Sequence, residues 1–288
     1  MKDYSSMIKN IRKHLKDYCV DNKLRSLIIG VSGGIDSALC CALAEPVCKE
    51  LKIPLIGRSI SIDSNGDDEK SRAVAVGEAF CSDFIEIDLT GLYDKFEKCM
   101  EPGNQKISLG NLKARMRMCY LYDLAWKNSG IVLSTDNYTE YLLGFWTING
   151  DVGDFGMVQN LWKAEVYELS EFMCEQFSIS DKLKNKHDSL MSCIVANATD
   201  GLGISSTDLD QIMPDWTERH SSTREGYCEV DKILKDYVVL EKINVAIGFN
   251  ESQKRAFKYL GNTDVVKRYL ATNFKRNVPV NICRMDIV

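Results

Sequence analysis

Six consecutive residues, Ser32-Gly33-Gly34-Ile35-Asp36-Ser37, carry the first suggestion of chemistry in this chain. They join an apolar, strand-like run, "LRSLIIGVS" over 24–32, to a predicted helix from Asp36 to Leu51, bent at Pro46. Such a turn sets backbone N–H groups and hydroxyls at a helix N-terminus, whose partial positive charge attracts phosphate. Its glycines permit positive φ and close approach of the backbone. The stretch lacks the lysine with which P-loop nucleotide hydrolases reach terminal phosphates. Asp36 is the unusual member. A carboxylate beside phosphate is repulsive unless a divalent cation lies between them, so Asp36 reads as a Mg2+ ligand. A plain helix cap by Asp36 or Ser37 is the competing reading. The complete S-G-G-x-D-S after a strand favours the phosphate site.

Three later segments add charged groups. "GNLKARMRM", Gly110–Met118, places Arg115 and Arg117 on one predicted helix. Residues two apart point to different sides, so one arginine can face a ligand while the other packs or pairs. In "STDNYTEYLLGFWTINGDVGD", Ser134–Asp154, Thr135 ends a predicted strand and Glu140 begins the next helix. Glu140 can reach the same cation as Asp36, since two carboxylates and phosphate oxygens suit a six-coordinate Mg2+ site. In "LWKAEV", Lys163 opens a helix. A cation there opposes the helix dipole, which favours a phosphate partner.

The elements that must position these groups alternate. Strands are expected at 24–32, 53–62, 83–89 and 130–136, with helices at Asp36–Leu51, Asp67–Cys81, about Tyr93–Met100 and 109–129. Strands separated by helices imply parallel pairing, hence an open α/β sheet with its ligand at the carboxyl ends of the strands. The regions of Ser32, Ser61 and Thr135 fall there. Beyond a helix at Lys163–Phe177, residues 178–227 show little periodicity and two turn clusters, as a mobile lid would. Two helices, Glu229–Lys242 and about Glu251–Phe274, follow.

Composition narrows the function classes. The chain has 288 residues, 45% hydrophobic and 27% charged, with a formal net charge of −5. That balance argues against nucleic acid as the main partner, which would demand a basic face. No apolar run is long enough to span a bilayer, and the N-terminus reads as an amphipathic helix without a signal core. The 11 cysteines are odd in number and form no C-x-x-C pair, and only His14, His187 and His220 accompany them. Buried free thiols in a reducing, cytoplasmic compartment are expected, not disulfides or structural zinc.

The Ser32–Ser37 loop resembles the PP-loop signature of ATP pyrophosphatases, which cleave ATP between the α and β phosphates and adenylate an oxygen. Such a loop holds a departing pyrophosphate and has no γ-phosphoryl group to transfer, which accounts for the missing lysine. The loop alone leaves GMP synthetase-like and tRNA-modifying adenylating enzymes open, and a non-catalytic nucleotide-binding homologue with them. Together with "GNLKARMRM", "STDN…E…LGF…T…GD…GD", "LWKAEV" and "NFKRNVP", the chain is similar to NAD+ synthetases over about residues 20–280.

The resemblance implies an open, mostly parallel Rossmann-like sheet with helices on both faces, of adenine nucleotide alpha hydrolase type. It implies a single domain over 1–288 with a lid at about 178–227. No glutaminase domain is present, which points to the ammonia-dependent form. The implied reaction is ATP-dependent amidation of deamido-NAD+. ATP phosphates would lie against Gly30, Val31, Ser32, Gly33, Gly34, Ile35, Asp36 and Ser37, with Arg58, Thr135, Lys163 and Thr199 also on ATP. Mg2+ would bind Asp36 and Glu140, and Asp36, Asp151 and Lys163 would be catalytic, Asp151 near the incoming ammonia. Arg115, Asp154 and Lys275 would contact deamido-NAD+. Ile148 and Phe274 depart from the family pattern, which has lysine and histidine at those places. A homodimer is implied as well.

Overall fold

The computed structural model describes residues 2–63, 66–101, 106–199 and 205–277. Strands β1 (Ser26–Gly30), β2 (Leu55–Ser61), β3 (Asp83–Asp88), β4 (Gly130–Ser134) and β5 (Phe155–Gly156) pair in the order β3-β2-β1-β4-β5. Every pairing is parallel. The helices are α1 (Tyr4–Asp21), α2 (Ile35–Leu51), α3 (Asp67–Phe80), α4 (Thr90–Glu97), α5 (Lys106–Lys127), α6 (Tyr138–Leu143) and α7 (Lys163–Phe177). They continue with α8 (Lys184–Val195), α9 (Leu209–Ile212), α10 (Trp216–Arg219), α11 (Thr223–Ile247), α12 (Glu251–Gly261) and α13 (Asp264–Ala271).

The expected α/β class holds. Successive strands run outward from β1 to β3, and β4 then returns to the other side of β1. The carboxyl ends of β1 and β4 therefore flank a topological switch point, where a parallel sheet opens a crevice for ligand. Leu27, Ile28 and Ile29 of β1 are all fully buried, as a central parallel strand covered on both faces requires. On one face, Ile28, Ile56 and Val132 pack under Leu121, Tyr122 and Leu124 of α5. The other face carries the larger core, in which α1, α2, α3, α7 and α8 take part.

Helix α2 continues through Pro46 to Leu51. Proline has no N–H, so the Ala42 carbonyl loses its helical donor. Arg12 of α1 supplies a replacement, with Nη2 to Ala42 O at 3.2 Å and Nε to Leu43 O at 3.3 Å.

Several boundaries differ from the sequence expectation. Residues 184–195, inside the stretch expected to lack periodicity, form α8, whose Leu190, Cys193 and Ile194 enter the main core. The polar start "KNKHDS" masks an i, i+3, i+4 apolar stripe. The helix expected at Glu229 begins a turn and more earlier, at Thr223, where Ser222 caps it by accepting from Glu225 N. The expected helix over 251–274 divides at Asn262–Thr263, and Thr263 caps α13 by accepting from Val266 N. Strand β5 is too short for alternation to reveal. It stays close to β4 because Gly153 has no side chain: a Cβ there would lie 2.5 Å from Ser134 N. Ten described cysteines are free thiols, and Cys99, Cys119 and Cys228 are exposed, unlike the rest of the expected buried set. No helix among the described residues is long and apolar enough to cross a membrane.

Candidate active site

The turn between β1 and α2 is held by its own hydroxyls. Ser37 Oγ donates to Gly34 O at 3.0 Å and accepts from Ser32 N at 3.3 Å, and the two serine hydroxyls lie 3.0 Å apart. Gly33 has φ +82, and a Cβ there would sit 2.3 Å from Glu69 O and 3.0 Å from Ala73 N, both backbone atoms of α3. Only glycine fits. The Gly33 carbonyl accepts from Arg72 Nε at 3.0 Å and from Cys193 Sγ at 3.4 Å. The loop is thus pinned from α3 and α8 while the N-terminus of α2 stays open to the crevice.

Three charged side chains meet at that opening. Lys163 Nζ pairs with Asp36 Oδ2 and, at 2.9 Å, with Glu140 Oε1. Asp36 Oδ1 accepts from Asn137 Nδ2 at 2.8 Å. Asn137 and Glu140 form a capping box on α6, so the same asparagine that starts the helix aligns Asp36. The Lys163 side chain is 4% exposed, against 15% for Asp36 and 16% for Glu140. Burial opposes the Lys163 ammonium, but Asp36 and Glu140 together hold it well above the usual lysine range. Burial, then the charge of Asp36, pushes the Glu140 carboxyl up, and Lys163 offsets part of that.

A pocket of about 240 Å³ gathers the Ser32–Ser37 loop, Thr135, Glu140, Asp151, Lys163 and Thr199. A larger adjoining cleft of about 510 Å³ takes in Gly30, Val31, Arg58 and Lys275, and shares Ser32, Thr135 and Asp151 with it. Asp151 keeps water contact at the junction, where its Oδ1 accepts from Thr147 N at 2.6 Å. Crowding by the cleft walls raises its pKa, and the Thr147 hydrogen bond works against that.

Some expected site residues are directed elsewhere. The Arg58 guanidinium lies in the cleft wall and forms a bidentate pair with Asp83 at 3.0 and 3.3 Å. Arg115 is exposed and donates to Ile148 O at 3.2 Å, while Arg117, two residues on, lines the cleft with Nε on Ile60 O at 3.0 Å. Asp154 accepts from Tyr122 OH at 2.9 Å and from Val132 N at 3.0 Å. Neither Arg115 nor Asp154 lines the pocket or the cleft. Lys275 reaches the cleft and donates to the carbonyls of Gly144, at 2.7 Å, and Trp146.

Sequence reasoning gave no role to Asn137, Asp136, Arg72 or Tyr227. Asn137-x-x-Glu140 carries the capping-box signature and was findable on that ground. Asp136 is buried beside Ser134 Oγ at 3.1 Å, and burial with the nearby charges of Asp151 and Glu140 raises its pKa well above the carboxylate range. Tyr227 is fully buried, with its ring centroid 5.4 Å from Lys163 Nζ. Nothing local to residue 227 marks that contact.

The NAD synthase family matches residues 7–279. The NH3-dependent NAD+ synthetase of Pyrococcus horikoshii is 30% identical over 255 residues, which are 88% of this chain and 93% of that protein. Among solved structures, an NMN synthetase from Francisella tularensis superposes with a TM-score of 0.70 at 22% identity, covering 98% of this chain and 99% of its own. The NH3-dependent NAD synthetase from Campylobacter jejuni gives 0.67 at 21%, covering 98% and 100%. With the family matched across nearly the whole described fold and the glycine-rich loop, paired acids and lysine meeting at its switch point, the chain belongs to the NAD synthase family.

Proposed function

We propose that this protein uses ATP and ammonia to amidate deamido-NAD+ to NAD+, through an adenylated carboxylate, releasing AMP and pyrophosphate. The observation that carries the reading is the meeting of Asp36, Glu140 and Lys163 over a helix N-terminus in a chain of the NAD synthase family. A carboxylate is a poor acyl donor because its oxygen is a bad leaving group. Adenylation makes AMP the leaving group, and the bond broken in ATP is the α–β linkage. The N–H groups at the start of α2 and the Lys163 ammonium would hold the pyrophosphate as its charge grows, which is the electrostatic contribution that counts most in such steps. Asp151 would hold ammonium beside the adenylate and accept its proton, since ammonium itself is not nucleophilic.

Asp36 and Glu140 fit Mg2+. Both carboxylates converge on one point, and the group found there is a cation, Lys163 Nζ. Among the described residues no third acid, histidine or cysteine completes a metal cluster. Mg2+ commonly takes only one or two carboxylates and fills its remaining positions with phosphate oxygens and water. When bound, it would supply charge neutralisation at the phosphates.

Arg115, Asp154 and Lys275 are proposed for the deamido-NAD+ side, Arg58, Thr135 and Thr199 for ATP. Ala198, Thr199 and Asp208 wall the phosphate pocket, which supports a covering role for these described residues of the lid expected at about 178–227. The free thiols fit a reducing cytoplasm. The homodimer is proposed from the resemblance to NAD+ synthetases, and Trp126 on α5, 87% exposed, is compatible with such an interface. The test is product analysis with ATP, Mg2+ and ammonium, offering deamido-NAD+ or xanthosine monophosphate. NAD+ and AMP with the first alone are expected. Neither product from deamido-NAD+ overturns the reading.

A further inference from the structure

Helix α11 lies outside every motif read from the sequence, yet it supports Lys163 and Glu140, the two charged groups that meet beside Asp36. Asp231 is 1% exposed. Its Oδ1 accepts from Thr139 Oγ1 at 2.5 Å and its Oδ2 from Ala164 N at 2.8 Å. Thr139, fully buried, accepts in turn from Lys163 N at 2.9 Å. Tyr227, one turn earlier on the same face of α11, sets its ring against Lys163 Nζ. Lys163 and Ala164 open α7, so their N–H groups have no partner within the helix. Thr139 directly precedes Glu140. One carboxylate therefore ties the backbone of Lys163 to the residue beside Glu140.

A buried acid is costly unless its partners repay it. Among the described residues no ion pair closes on Asp231; its close partners are a hydroxyl and an amide. The placement suits geometry better than charge pairing. Its negative charge also sits at the N-terminus of α7, where it compensates for opening that helix with a lysine.

We propose that Asp231 is a positioning residue for the amidation reaction, acting through Thr139 and the first turn of α7 to hold Glu140 and Lys163 against the phosphate loop. This rests on the function proposed above. The test compares D231N, T139V and T139S with the wild-type protein, each shown to be folded by a cooperative unfolding transition. Binding of ATP with Mg2+ is measured by calorimetry without turnover, and kcat and KM are measured for each substrate.

D231N and T139V are expected to weaken ATP binding and to lower kcat by about 10- to 100-fold, the scale of a misplaced catalytic group. The KM for deamido-NAD+ should stay within about twofold, because the variants disturb only the phosphate end. T139S should recover most of the loss, since it restores the hydroxyl relay. The double variant D231N/T139V should be little worse than the poorer single one, as expected of two members of one network. Folded D231N with wild-type ATP affinity and kcat overturns the proposal, as does T139S impaired as severely as T139V. Wild-type protein that makes no NAD+ overturns the functional reading instead, whereas ATP affinity in the variants tests the positioning without turnover.

Discussion

The phosphate pocket and the acceptor side of the cleft are built differently. In the pocket, the three charged groups that meet are each aimed by a helix start: Asp36 by α2, Glu140 by α6, Lys163 by α7. Helix termini are rigid and carry the right partial charge for phosphate, so position and electrostatics come from the same atoms. Of the residues proposed for the acceptor, Arg115 is held by Ile148 O, Asp154 by Tyr122 and Val132, and Lys275 by two carbonyls. Phe274 stands 61% exposed at the rim. The pocket's charges already converge on one point beside a preformed loop, whereas the residues proposed for the acceptor are held apart by separate internal hydrogen bonds. Tight recognition of ATP with a more adaptable grip on the acceptor is the expected consequence.

The sharpest way to break this contrast is Asp36→Asn. It keeps shape but removes the charge beside the phosphates, and it should lower turnover by at least about 100-fold. A variant retaining normal turnover would remove Asp36 from the mechanism. Lys163→Met goes further, because it leaves Asp36 and Glu140 facing each other without a cation. Beyond lost activity, it should cost about 3 kcal/mol of stability in denaturant unfolding, the scale of breaking a buried pair from one side.

A pH measurement probes the support beneath the pocket. Burial raises the Asp231 pKa from 3.8 to about 6, and the hydrogen bonds from Thr139 and Ala164 offset only part of this. The folded state therefore binds the proton more tightly than the unfolded state. The resulting stability is fully present below the unfolded value near 3.8 and is lost as pH rises through about 6. Between pH 4 and 7 the wild type should lose about 2 kcal/mol relative to D231N, which lacks this titration. Parallel stability curves for the two proteins would contradict it.

The smallest effects belong to the acceptor side. Arg115→Ala should raise the KM for deamido-NAD+ by less than about tenfold and leave ATP binding intact, as a contact formed only after rearrangement allows. Asp154→Ala should cost about 1–2 kcal/mol of stability by stranding the Val132 amide, whatever it does to substrate. Equal damage to ATP binding from either variant would erase the distinction between the two regions.

The same division governs what could be read from the sequence. The Ser32–Ser37 loop was legible because glycine, serine and aspartate act there on neighbouring backbone. Glu140 and Lys163 were legible because each opens a helix, and a helix start has local signals. Asp231 and Tyr227 were not, since their partners lie 92, 67 and 64 residues away and no periodicity encodes a tertiary contact. Arg115 and Arg117 show the limit plainly. Their spacing says that they diverge, and only the packing of α5 on β1 and β4 shows that Arg117 takes the cleft. Helix α8 was lost for another reason: its stripe is short and follows a run of polar residues.

The proline in α2 has a consequence for how this protein opens and closes. Beyond Pro46 the last turn of that helix depends on a guanidinium borrowed from α1. Undocking α1 leaves the Ala42 carbonyl without a donor in the core, so the two helices should fray together. Amide exchange at the end of α2 should then follow the release of α1 and not the opening of the sheet. The N-terminal helix becomes part of the clamp on the helix whose other end carries the glycine-rich loop.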